Sequence, residues 1–329
     1  MIKGMKKMFL AAGLLAVGLL AGCGKKDGDT QVRVGYFPNV THTQALFMKD
    51  QGTLEKKWEG EYDVTWTSFN AGPAEVEALF AGELDLGYIG PVPAINAYVK
   101  SGGDIQIISN ATNAGAVLIK RSDSDIETIA DLAGKKVAIP QVGNTQHLCL
   151  LELLAENSLA PTTEGGDVEV VAVANSDVMN MMDQKNIDAA FVPEPWGSIL
   201  EEQCGAVIVK DYDEVFMDGN YPTAVVVVRK EFMEEHPDLV KEFLEEHEAA
   251  TDYINENKEE LYTAINRQIE EATSKTYDVS ILEKAFGRIQ VTTDIEEEAL
   301  NTFGKICYEQ GFIEEEMKDG IVVEHVDGN

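Results

Sequence analysis

The chain is predicted to fold as two doubly wound α/β lobes joined by two crossover strands. Three observations predict this. First, the sequence repeats itself: Asn39 follows the apolar run VRVGY and Asn144 follows VAI, while Asn70 ends VTWTSF and Asn175 ends VEVVAVA. Within each copy the two asparagines lie 31 residues apart, and the copies are offset by 105 residues. A further signal repeats as well, ELDLGYIGP at 83–91 and NIDAAFVPEP at 186–195, with Asp85 and Asp188 offset by 103. Second, short apolar runs alternate with helical patterns, the mark of a parallel sheet with helices on both faces. Third, GAVLIKR at 115–121 and TAVVVVRK at 223–230 flank the second copy and resemble one another. They read as the two passages between lobes, giving lobe I as 31–117 plus 223–329 (discontinuous, with the C-terminal helices) and lobe II as 118–222. Two similar lobes leave a ligand cleft between them.

The elements follow in order. VRVGY and VTWTSF read as strands, with helices expected at Thr41–Gln51 and Pro73–Ala81. LDLGYI is a buried strand, Val92–Lys100 opens a helix, and IQIIS is another strand. The second copy begins with the helical signal DIETIADLAG and the strand KKVAIP, and finishes with AVIVKD at 206–211. Beyond residue 230 the chain is acidic and helical. Asp238–Asn255 carries Leu239, Val240, Phe243, Ala250, Tyr253 and Ile254 at helical spacing, and this region is expected to pack back on lobe I.

The N-terminus stands apart from the fold. Lys3, Lys6 and Lys7 precede MFLAAGLLAVGLLAG, an apolar run too short for a comfortable membrane span. It ends in Leu19-Leu20-Ala21-Gly22-Cys23, which resembles the lipobox of bacterial lipoproteins. Residues 1–22 are therefore read as a signal peptide and 23–30 as a lipidated Cys23 with its linker. The mature chain is expected to be exported and lipid-anchored to the outer face of the cell membrane, on a Gram-positive surface or the periplasmic side of a Gram-negative membrane. The formal net charge of −32 excludes nucleic acid and anionic lipid surfaces as partners. Beyond Cys23 an odd set remains, Cys149, Cys204 and Cys307, so no full disulfide framework can form. Cys149 lies in the apolar run HLCLLELL and reads as a buried thiol, with a Cys149–Cys204 bridge left open.

No catalytic set is visible. GxSxG, HExxH and the P-loop are absent, and no third group is spaced near His147 and Cys149 to hold a metal, so the chain reads as a non-enzyme without cofactors. The candidates for binding lie at strand ends that open helices, where side-chain donors and free backbone N–H groups converge on a cleft. They are Asn39, Thr41, Asn70, Asn144 and Thr145, with Gly72 and Gly90 each placed before a proline (Pro73 and Pro91). His42 and His147 follow two of these and could donate to a ligand. Glu194, between prolines in PEPW and beside Trp196, is either a structural turn or a contact to a ligand amine. Tyr36, Tyr88, Tyr221 and Trp196 are candidate apolar walls. Each of these residue types also serves as an ordinary cap, turn or core residue, and the equal spacing in both copies is what favours the set. No lysine or arginine falls in the motifs, so an anion would be held by helix dipoles and neutral donors.

GYFPNVTHTQAL, FNAGPAEVEALFAGELDLGYIGP, VGNTQ and PEPW resemble the substrate-binding lipoproteins of ABC importers, in the sulfonate/nitrate/taurine group that also includes pyrimidine-precursor binders. The resemblance runs over nearly all of 31–290. It implies two α/β lobes joined by two strands, closing on a small ligand and delivering it to an ABC permease with its ATPase subunits. It also implies ligand contacts at Asn39, Thr41 and His42 in the first loop, and at Asn70, Gly72, Gly90 and Pro91 in the second and third. In lobe II it implies Asn144 and Thr145, then Glu194 and Trp196. The expected ligand is an aliphatic sulfonate, with taurine, nitrate or bicarbonate as alternatives. The rival classes are a pyrimidine-precursor biosynthetic enzyme, which the export signal opposes, and a ligand sensor that transports nothing.

Overall fold

The computed structural model describes residues 30–323 and 326. The expected signal peptide, Cys23 and the linker as far as residue 29 lie outside the described residues. The first half of the first sheet is built from β1 (Gln31–Tyr36), α1 (Thr43–Gln51), α2 (Thr53–Lys57), β2 (Asp63–Ser68), α3 (Gly72–Phe80), β3 (Leu86–Ile89), α4 (Pro91–Ser101) and β4 (Ile105–Ala114). A second sheet then forms from β5 (Ala116–Lys120), β6 (Lys136–Ile139), α5 (Thr145–Glu156), β7 (Glu169–Ala172), α6 (Val178–Asp183), β8 (Ala189–Pro193), α7 (Trp196–Cys204) and β9 (Val207–Lys210). The chain returns through β10 (Pro222–Arg229) and continues as α8 (Lys230–Glu235), α9 (Pro237–Glu256), α10 (Lys258–Thr273), α11 (Val279–Phe286), β11 (Ile289–Val291) and α12 (Glu297–Glu309).

The strand orders are β11-β4-β10-β3-β1-β2 and β7-β6-β8-β5-β9. Parallel pairing joins β1 to β2 and β3 in one sheet and β6 to β7 and β8 in the other; an antiparallel strand pairs with β3 and with β8, β10 and β5 respectively, and β11 also runs antiparallel, against β4. So β2-β1-β3-β10 and β7-β6-β8-β5 are equivalent, as the sequence repeat predicts. Successive residues of β10 alternate between two apolar clusters: Ala224, Val226 and Val228 face one, and Val225 and Val227 the other. Its uninterrupted valines follow from burial on both faces.

The repeated aspartates explain themselves here. Asp85 Oδ2 accepts the backbone N–H of Arg33 at 2.9 Å, and Asp188 Oδ2 accepts that of Lys136 at 2.9 Å. Each also takes a guanidinium from the antiparallel side, Arg229 at 3.0 Å and Arg121 at 3.3 Å. Both clamp the N-terminal ends of strands, away from the cleft.

Two expectations change. DIETIADLAG forms only the 3-10 turn Ile129–Leu132: Thr128 and Asp131 close a capping box at its start, and the backbone leaves the helix at Ala133 (φ −55°, ψ 125°) before Gly134 at φ 74°. The chain passes out of the first sheet at Ala114 and Gly115, with φ of 61° and 82°, and β5 pairs in the second sheet from Ala116. A side chain at Gly115 would put its Cβ 2.4 Å from Ile289 Cγ2, so only glycine fits that bend. The C-terminal helices also divide their contacts. While α9 and α10 pack on α1, α11 packs on α7, and α12 on α4 and α5, so this region touches both sheets' helices. Cys149, Cys204 and Cys307 are free.

Candidate functional site

The parallel strands of both lobes end on a common gap. There a cavity of about 20 Å³, room for one water, is lined by Phe37, Asn39, Thr41, His42, Asn70, Ala71, Gly72, Gly90, Pro93, Pro140, Asn144, Thr145, Gln146, Asn175, Pro193 and Thr223. It thus gathers the turns after β1, β2, β3, β6, β7 and β8. Gly72 is the first residue of α3 and Thr145 that of α5, so two helix N-termini bring unpaired N–H groups and partial positive charge to it. The described lining holds no lysine, arginine or carboxylate.

Its polarity is set by side chains. His42 is 1% exposed, and burial lowers its pKa to about 3, so the ring is neutral. Its Nδ1 accepts the N–H of Phe37 at 3.2 Å, which places the proton on Nε2. His42 therefore offers a donor without a charge. His147 repeats the geometry, accepting the Gly143 N–H at 3.2 Å with its pKa lowered by burial to about 4, but its ring packs at a tilt against Phe312 and lies outside the cavity. Asn144 caps α5 by accepting the His147 N–H at 2.8 Å. Thr145 Oγ1 and Asn175 Oδ1 are buried with no hydrogen-bond partner, and both residues line the cavity. Buried polar atoms are rarely left so, and these two stand ready for a ligand.

The lobes approach closely. Asn70 Nδ2 donates to Pro140 O at 3.2 Å, and Asn70 Oδ1 accepts the N–H of Asn175, its repeat equivalent, at 3.3 Å. Trp196 Nε1 donates to Asn39 Oδ1 at 2.7 Å. A Cβ on Gly90 would lie 2.6 Å from Thr145 Oγ1.

Of the expected contacts, Asn39, Thr41, His42, Asn70, Gly72, Gly90, Asn144 and Thr145 line the cavity, and Pro91, Glu194 and Trp196 do not. Glu194 is fully buried, with Oε1 taking Arg288 Nη1 at 2.9 Å and Oε2 taking the Ser198 N–H at 3.0 Å. Both oxygens are engaged and the side chain is shut away from the cavity, so Glu194 does not reach a ligand amine there. The aromatic walls are also corrected. Tyr88 donates toward His247 in the core, Tyr221 lies among Phe216 and Phe303, Tyr36 meets Trp66, and Phe37 with three prolines forms the wall instead. Among residues not singled out, Asn175 was legible as the repeat mate of Asn70, and Gln146 as the neighbour of Thr145. Thr223 comes from the start of β10, distant in sequence, and carried no local signal. No group of His, Cys, Asp and Glu among the described residues could hold a metal ion.

Fold and site together define a two-lobed α/β protein with a cavity at strand ends between its lobes. The chain belongs to the NMT1-like family, which it matches over residues 25–266. It is 30% identical over 211 residues to an Escherichia coli K12 protein named for binding aliphatic sulfonates, covering 64% of this chain and 63% of that protein's length. It is 30% identical over 259 residues to a binding protein of Brucella abortus strain 2308, covering 78% and 76%. The alkanesulfonate-binding protein of Xanthomonas axonopodis pv. citri bound to MOPS shares the fold, with a TM-score of 0.75 at 19% identity over 90% of this chain and 99% of that one. So does the periplasmic nitrate-binding protein of Synechocystis PCC 6803, with a TM-score of 0.69 at 15% identity over 86% and 82%.

Proposed function

We propose that this chain is an extracytoplasmic solute receptor of an ABC importer that captures a small oxyanion, an aliphatic sulfonate first among the candidates, and hands it to the permease. It binds and releases its ligand without chemistry. The observation that carries the reading is the interlobe cavity where neutral donors and two helix N-termini converge with no fixed cation. Sulfonate comes first because relatives named for aliphatic sulfonates and for taurine share about a third of their aligned residues with this chain. The lobes close when a ligand bridges loops from both sides, shifting the population from open to closed. The motif at Cys23 supports a lipid anchor on the outer membrane face, with delivery to permease and ATPase subunits as the downstream step.

A second reading, a compact anion such as nitrate or bicarbonate, is suggested by a relative named for nitrate import, 25% identical over 227 residues, and the 20 Å³ cavity must widen for any of these ligands. If the ligand is taurine, its ammonium group is met by a group other than the buried Glu194.

The test is a thermal-shift panel on the mature chain carrying Cys23→Ser, with ethanesulfonate, taurine, nitrate, bicarbonate and sulfate. A ligand at 100 times its Kd adds about 2.7 kcal/mol, an easily seen shift. A shift with ethanesulfonate and none with nitrate is the expected result. A shift with nitrate or bicarbonate alone keeps the receptor and removes the sulfonate, and silence from folded protein removes the oxyanion reading.

A further inference from the structure

We propose that the hydrogen bond from Trp196 to Asn39 is a latch between the lobes, which favours the closed form and aims the Asn39 amide at the ligand. The proposal rests on the reading of the chain as a receptor that closes. Trp196 opens α7 in the second lobe, and Asn39 follows β1 in the first. Their bond is 2.7 Å long, and the residues are 4% and 3% exposed. Trp196 does not line the cavity itself; it lines the neighbouring pocket of about 230 Å³ that shares Asn39, Asn70 and Asn175 with it, so the bond stands at the junction of the two.

The repeat makes the departure visible. Asn144, equivalent to Asn39, spends its side chain inside its own lobe, capping α5 through Oδ1 and donating to Gln146 Oε1 at 3.0 Å. Asn39 makes no side-chain cap at its own turn, and its acceptor crosses the cleft instead. An indole N–H can only donate, so it fixes which end of the Asn39 amide is oxygen. With Oδ1 held by Trp196, the Nδ2 group is left as a donor on a residue that lines the cavity. Closure therefore completes one wall of donors. The Asn70 bonds to Pro140 O and Asn175 N also span the cleft, but at 3.2 and 3.3 Å and on an exposed residue they are the weaker tie.

Because only closed molecules bind ligand fully, losing the latch lowers the competent fraction, and apparent affinity falls with it whatever the ligand is. A buried hydrogen bond of ordinary strength corresponds to roughly a fivefold change.

The experiment uses the mature Cys23→Ser chain with Trp196→Phe, Asn39→Ala, their combination, and Asn39→Asp, which keeps an acceptor for the indole. Small-angle X-ray scattering without ligand reads closure, and calorimetry with ethanesulfonate and nitrate reads affinity. Trp196→Phe should give a larger radius of gyration than the parent, Asn39→Ala should add nothing further in the double variant, and Asn39→Asp should stay compact. Any probe that binds should lose affinity on Trp196→Phe by one common factor, at most about five. Superimposable ligand-free profiles for Trp196→Phe and the parent overturn the latch, as does a loss confined to one probe, since that makes the pair a ligand contact. If neither probe binds the parent, the ligand-free profiles still decide the latch, and only the oxyanion reading fails.

Discussion

At the scale of single residues, Glu75 is the group that the sequence disguises most. It sits in the first turn of α3, where an acidic residue normally complements the helix dipole from the surface. Here it is fully buried with neither oxygen hydrogen-bonded. Its bed is a pair of glycines facing one another on β1 and β3: a Cβ on Gly35 or Gly87 would come within 2.2 or 2.1 Å of Glu75 Oε1. Burial drives its pKa well above the usual carboxylate range, so the folded protein holds the neutral acid. The stability it permits is fully present below the ordinary glutamate pKa and is lost as pH rises through the raised folded value. Glu75→Gln should therefore melt several degrees higher than the parent at pH 8, with the gap shrinking toward pH 4. Melting curves across that range check this, and equal curves at every pH would mean the carboxyl is not held neutral. Nothing in the sequence could reveal this environment, because PAEVEAL has the pattern of an exposed acidic turn. The asparagines behaved differently: their equal spacing showed where Asn39 and Asn144 would lie, but not that one would cap a helix and the other reach across a cleft.

At the scale of elements, the strands were plain in the sequence because burial on both faces demands unbroken apolar runs such as TAVVVVR. The helical signal in DIETIADLAG does not say how far a helix continues, and this one ends after a single 3-10 turn ahead of Gly134. The loops carrying the candidate site were legible through the Gly-Pro and Asn-Thr steps that open α3, α4 and α5. Their approach to one another was not, since it depends on how α4 and α5 meet across the gap. Gly90 is the tightest point of that meeting. Its φ of −66° suits any residue, so Gly90→Ala introduces no backbone strain, only a methyl 2.6 Å from Thr145 Oγ1. Thr145 is buried at the first position of α5. The variant should fold normally yet remain more expanded than the parent in scattering with a saturating ligand. A profile as compact as the parent's would show that Thr145 rotates freely.

At the scale of the whole molecule, the two-lobed plan was readable because an internal repeat survives in the order of its signals. The role of the C-terminal hundred residues was not, because amphipathic helices declare that they have a buried face without saying against what. The structure uses part of that region as a strap. Arg288, between α11 and β11, reaches Glu194 at 2.9 Å, Glu201 at 2.7 Å and Asp211 at 3.0 Å, tying the edge of the first sheet to α7 and to the segment after β9. Arg288→Met leaves Glu194 as a buried carboxylate without its cation, which costs about 3–5 kcal/mol. Adding Glu194→Gln should recover most of that loss. Denaturant unfolding measures both, and a single variant as stable as the parent would show that the strap carries no load.

The exchange of β5 and β10 between otherwise equivalent sheets has a consequence for how the molecule is made. The second sheet draws all its strands from one unbroken stretch, Ala116 to Lys210, while the first lacks its central antiparallel strand until Arg229 has been synthesised. During N-to-C emergence, the lobe that begins first is thus the last to be completed. Its early strands β1–β4 must wait, with the β3 and β4 edges unpaired, while the later-born lobe assembles beside them. A chain truncated between Lys210 and Pro222 would carry one finished lobe and one exposed half-sheet, the state in which aggregation is to be expected.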